Sequence, residues 1–162
     1  MLEKNWRDLI KPNALDVDKE SASKLYGKFI ARPLERGFGL TLGNSLRRVM
    51  LSSLQGAAIT AIKIDGVVHE FTAIPDVKED VAEIILNLKE VRLGMSGDQT
   101  VVAIEKTGPA VVCASDIIAP EQVQVLNPDQ HICTLGKGAK FKAELRVERG
   151  RGYRPAENNK SE

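Results

Sequence analysis

The chain has 162 residues, 43% hydrophobic and 28% charged, ordinary proportions for a globular protein. Folding at this length hides roughly 70% of the unfolded surface, enough for a real core. With 23 Lys and Arg against 22 Asp and Glu, the net charge is +1, so no global field directs the chain to nucleic acid or an anionic membrane. No apolar run reaches the roughly 18 residues of a membrane span, and the polar start, residues 1–8, is not a secretory signal. Cys113 and Cys133 are too few for a disulfide scaffold and wrongly spaced for zinc. They fit small buried side chains in a reducing, cytoplasmic setting. His69 and His131 are isolated. A strand would put His131 and Cys133 on one face with nothing to complete a metal site, so neither metal nor cofactor is expected.

The first twenty residues predict irregular chain, with a turn at Pro12-Asn13. Residues 24–32 alternate weakly, Leu25, Gly27, Phe29 and Ala31 against Tyr26, Lys28, Ile30 and Arg32, and predict a strand. Pro33 ends it and suits the start of a helix over 35–53. On a helical wheel Phe38, Leu42, Leu46, Val49 and Met50 share one face with Ser53. Leu40 and Leu51 fall opposite, beside Asn44 and Arg47, with Arg48 on the flank. The first stripe is expected to pack on the chain's own sheet. The second, narrower and edged with arginine, has the composition of an interface. Gly37, Gly39 and Gly43 each cost about 1 kcal/mol inside a helix, which close approach of another backbone would offset.

Residues 57–65 alternate, with Ala58, Thr60, Ile62 and Ile64 on one side, and Asp65-Gly66 predicts a hairpin to a returning strand over 67–71. Pro75-Asp76 then opens the clearest helix. Asp76 and Glu79 have capping-box spacing, Glu79 and Asp80 suit a positive helix N-terminus, and Val81, Ile84, Ile85 and Leu88 form the apolar stripe. The rest predicts strands at 100–106, 110–114, 123–126, 131–135 and 139–147, the last with Ala139, Phe141, Ala143, Leu145 and Val147 facing a core. Residues 149–155 form a basic, glycine-broken loop, and 156–162 are a polar tail. Many short strands and two helices predict an α+β fold with a mostly antiparallel sheet.

Candidate sites are few. Gly37, Gly39 and Gly43 give GxGxxxG, one residue longer than a dinucleotide loop and outside any βαβ unit. A nucleotide-binding enzyme is the remote alternative. Glu79, Asp80 and Glu83 form an acidic cluster explained by capping and solvation, with Glu83 better suited to partner contact than to catalysis. Arg149, Arg151, Tyr153 and Arg154 suit either a phosphate or base contact or a grip on a neighbouring subunit. No nucleophile–base–acid set is visible, so no catalytic residue is expected.

The run from Pro33 to Ser53, PLERGFGLTLGNSLRRVMLSS, resembles the first helix of the bacterial RNA polymerase alpha subunit. The resemblance continues through IDGVVHEF (64–71), EDVAEIILNLK (79–89) and RGRGY (149–153), in the family's order and spacing. It implies a partial dimerisation subdomain, a strand plus a helix at residues 1–54, with an inserted, mostly antiparallel α+β subdomain at 55–155. Family members continue beyond that point with the rest of the insert, the second dimerisation piece, a linker and a DNA-binding domain, so the resemblance implies a truncated chain. It implies a non-catalytic assembly scaffold of a DNA-directed RNA polymerase, a nucleotidyltransferase complex of transcription. In it alpha dimerises and recruits the beta and beta-prime subunits, and this region touches neither DNA nor membrane. On the family's pattern Arg48, Leu51 and Glu83 meet beta and Lys89 meets beta-prime. Leu40, Asn44 and Arg47 form a dimer or partner face. The alternative is a truncated, free-standing protein-binding module derived from alpha.

Overall fold

A computed structural model describes residues 9–23 and 25–159. The chain divides into two compact units, 1–51 and 52–162. In the first, β1 (Ala14–Val17) pairs antiparallel with β2 (Phe29–Arg32), Ala14 opposite Arg32. The strand expected over 24–32 is thus confined to its last four residues, and Lys24 lies outside the described residues. β1 falls where irregular chain was expected, because Ala-Leu-Asp-Val is too short to show a period.

Helix α1 runs Phe38–Ser52, three residues later than Pro33-Leu-Glu35 suggests. Residues 35–38 instead form a turn, Phe38 N–H donating to Glu35 O at 3.1 Å. Gly37 sits in it at φ 91°, a conformation glycine adopts without the Cβ clash. Gly37 therefore belongs to the turn and carries no helix-interior cost.

The second unit is built on a six-stranded sheet in the order β7-β5-β10-β3-β4-β8, antiparallel at every pairing. Its strands are β3 (Gln55–Ile64), β4 (Leu93–Met95), β5 (Gln99–Thr107), β7 (Ile117–Ile118), β8 (Val123–Val125) and β10 (Lys140–Arg151). A separate ladder joins β6 (Ala110–Cys113) to β9 (His131–Leu135). Helix α2, Val81–Lys89, lies against β9 and β3. β10 carries the core: Phe141, Ala143, Leu145 and Val147 are buried while Lys140, Lys142 and Glu144 are exposed. They meet Val81, Ile84 and Leu88 of α2 and Ile132, Cys133 and Leu135 of β9 in one cluster. The fold is the expected α+β architecture.

Four local expectations are corrected. In β3 the register against β10 slips between Arg146 and Val147, so Thr60 is an extra, bulged residue. Ala57 and Ile59 therefore join Ile62 in packing on the core, and Ala58 does not. The slip is what two isoleucines three apart require of a strand with period two.

No strand forms over 67–71. Val67 N–H closes a turn onto Ile64 O at 3.2 Å, with positive φ at Gly66 alone. That pattern belongs to type II, which splays strands; hairpins favour the primed turns.

The N-cap of α2 is Asp80, whose carboxylate accepts the Glu83 N–H at 2.7 Å. The Asp76–Glu79 box does not form. Last, Arg149–Arg151 are not loop: they finish β10, paired with Gln55–Ala57 of β3. The tail begins with a 3-10 turn, Ala156–Asn159.

Candidate interaction surfaces

Every residue of α1 is exposed. Leu40 is 75% and Leu51 65% accessible, as the second stripe demands. The first stripe is exposed too, Phe38 at 37% and Leu46 at 60%, and this overturns the expectation that it packs on the chain's own sheet. Among the described residues the apolar circumference is left exposed: the one four-residue ladder of unit 1 has too little apolar surface to cover a helix of 15 residues. Leu40, Asn44, Arg47 and Leu51 lie along one line of α1, with Arg48 beside them. An alanine at Gly39 or Gly43 would meet nothing within 4 Å, so contacts among the described residues explain neither glycine.

Glu83 and Lys89, both exposed, stand on α2 in the other unit. Six residues apart, they point to different sides of the helix. Glu83 contributes its N–H to the Asp80 cap, which leaves its carboxylate on the surface. Lys89 occupies the last turn, where a cation suits the helix C-terminus.

Sequence inspection assigned Glu79 to the helix cap, but its side chain, only 12% accessible, crosses to β9. Its carboxylate accepts the Thr134 N–H at 2.6 Å, approaches His131 Nε2 at 2.9 Å and accepts the Thr134 hydroxyl at 3.1 Å. Burial pushes this carboxyl up, yet the hydrogen bonds from Thr134 and His131 outweigh it and hold the group below its ordinary value. Asp116 behaves alike: burial is opposed by Lys106 Nζ at 2.6 Å and the Cys113 N–H at 2.9 Å, and the pKa is lowered. Cys133 is fully buried, and its thiol is pushed up to about 12 by burial and the nearby carboxylates of Glu79 and Asp116. It remains a protonated, apolar core residue. No signal in the sequence could pair Glu79 with residues 52 and 55 positions away.

Glu148 bridges two arginines, Arg146 at 3.0 Å and Arg154 at 3.1 Å, and Arg149 donates to Met95 O at 3.0 Å. Of the arginines in the predicted basic loop, Arg149 and Arg154 are thus tied to the second unit's own chain, while Tyr153 stays 89% accessible. No described helix is long and apolar enough to cross a membrane.

The family model for the RNA polymerase Rpb3/RpoA insert domain matches residues 62–162, from the last three residues of β3 through α2, the other strands of the sheet and the 149–154 segment. The chain belongs to this family. It is an RNA polymerase subunit of the alpha/Rpb3 type, part of that complex, with a role in its assembly. Glu83 and Lys89 lie within the matched residues. α1 precedes the matched residues.

Proposed function

We propose that the chain is the alpha-type assembly scaffold of a bacterial RNA polymerase, using α1 and α2 as docking helices and carrying no catalytic residue. Arg48, Leu51 and Glu83 meet the beta subunit, Lys89 meets beta-prime, and Leu40, Asn44 and Arg47 meet a second alpha chain or a partner helix. The observation that supports this is α1 itself: seven large apolar side chains on one helix, all exposed. Burying each leucine in an interface yields about 1.5–3 kcal/mol. A contiguous apolar surface of this kind is rare on a free-standing protein and marks a contact site. Gly39 and Gly43, open to solvent in the chain, allow a neighbouring backbone to come close. The test is equilibrium binding of purified beta subunit to this chain. Arg48→Ala, as an interface hot spot, weakens binding by about 2 kcal/mol. Unchanged affinity, with the variant's circular dichroism also unchanged, removes Arg48 from the interface.

A further inference from the structure

The sheet of the insert domain is open along one strand. β3 pairs with β10 over nearly its full length, but its other side meets β4 only at Ala57, opposite Leu93. From Ala58 to Ile64 no strand among the described residues lies on that side. The Asp65 N–H donates to Lys142 O at 3.0 Å. In an antiparallel ladder this turns the backbone of Lys63 toward β10 and the backbones of Ile62 and Ile64 outward. The returning strand that the sequence predicts at 67–71 would have covered this edge, and it does not form.

A cavity of about 710 Å³ lies here, lined by Ile59 and Ile62, which pack on the core, and by Ala58 and Ala61, which do not. It also takes in Glu148–Arg151 of β10 and the Ala156–Asn159 turn, so it extends from β3 across its neighbour. A second, of about 320 Å³, shares Ile62 and Ile85 with the first and continues along the edge to Val67 and Val68. The inner wall is apolar, with Ile85 and Leu88 of α2 facing Ile59 and Ile62. The charged lining of the larger cavity is one-sided, whereas Lys63 and Glu70 balance in the smaller one. Lys89, Arg149, Arg151 and Arg154 stand against one carboxylate, Glu148, which Arg146 and Arg154 already engage.

We propose that β3 is a docking edge for an extended acidic segment of a partner protein, which adds as a further strand beside Ala58–Ile64. The gap holds about seven residues over about 23 Å. Main-chain hydrogen bonds to Ile62 hold the segment, because the Ile64 carbonyl already accepts the Val67 N–H, and alternate apolar side chains enter between β3 and α2. Carboxylates lie at the end near Lys89 and Arg151. β4 at one end and the 67–71 loop at the other bound the gap, so a linear segment fits better than the edge of another sheet. This surface belongs to the insert domain alone and is independent of the α1 interface, although it shares Lys89 with the beta-prime contact proposed above.

The test uses the full chain and fluorescein-labelled peptides of sequence Glu-Glu-Val-Thr-Val-Ser-Val-Thr, with the acidic pair at either end, and their counterparts with Lys for Glu. Fluorescence anisotropy is expected to show at least one acidic peptide binding about fivefold or more tightly than its lysine counterpart at low salt. Arg151→Glu should reverse that preference. Amide exchange at Ile62 slows on binding. Ile62→Pro removes an outward N–H outside the β10 ladder and abolishes binding; should that variant fail to fold, Arg151→Glu alone decides. Equal binding of both charge types, or none at millimolar peptide, overturns the proposal. So does protection of Ile62 without peptide, concentration-dependent if a second copy covers the edge and concentration-independent if residues 67–71 do.

Discussion

Glu79 joins two pieces of chain that secondary structure alone leaves apart, the segment before α2 and strand β9. Its carboxylate is largely buried and accepts from both groups of Thr134 and from His131. Glu79→Gln keeps the shape but gives up the charge-assisted bonds, and unfolding in urea should show a loss of about 1–3 kcal/mol. His131 is 43% accessible, so His131→Ala should cost less. Acid reaches the same contact. The folded-state pKa of Glu79 is lowered, as is that of Asp116. Each carboxylate therefore adds stability above its ordinary pKa, and that stability is lost as pH falls through the lowered folded value. Urea midpoints measured from neutral pH downward should drop on the acid side of the ordinary carboxylate range, and Glu79→Gln should flatten part of the slope. A midpoint indifferent to acid would contradict the assignment.

At the scale of elements, α2 and β10 were legible because their periods are strong. The Val81, Ile84, Leu88 spacing and the Phe141, Ala143, Leu145, Val147 alternation reappear as buried faces. Other features turned on information the pattern does not hold. The start of α2 was misplaced because Asp76 and Asp80 both precede an acidic residue three positions on. Only tertiary contact, Glu79 drawn to β9, decides that Asp80 caps. Asp80→Ala should lower stability by about 1 kcal/mol, and Ile84→Ala, with full burial lost, by about 2–5 kcal/mol. The bulge in β3 and the absent 67–71 strand hinge on single φ angles and a one-residue slip, invisible to binary patterning. For α1 the two stripes were readable from spacing, but not that both would be bare. Exposure depends on how much apolar surface the rest of unit 1 can offer. Gly43→Ala should raise the helicity and stability of the free chain by about 0.5–1 kcal/mol, since the added methyl meets nothing. If a partner backbone approaches there, the same change weakens association, and the two effects separate in circular dichroism and binding measurements.

As a whole molecule the chain is uneven. The second unit has a closed core beneath an antiparallel sheet and matches the RNA polymerase insert domain. The first presents an apolar helix with no buried residue. A protein that assembles a larger machine has reason to carry such a surface, and the apolar area becomes an asset once a partner removes it from water. The direct test is titration of purified beta subunit onto wild-type chain and onto Leu51→Asp, followed by calorimetry or anisotropy. Leu51 is 65% accessible and touches no core, so the charge should leave the insert domain's unfolding midpoint unchanged. With α1 as the docking helix, affinity for beta falls by about 2 kcal/mol or more. Equal affinity of the two chains would contradict the assignment of α1 as the surface on which the polymerase is assembled.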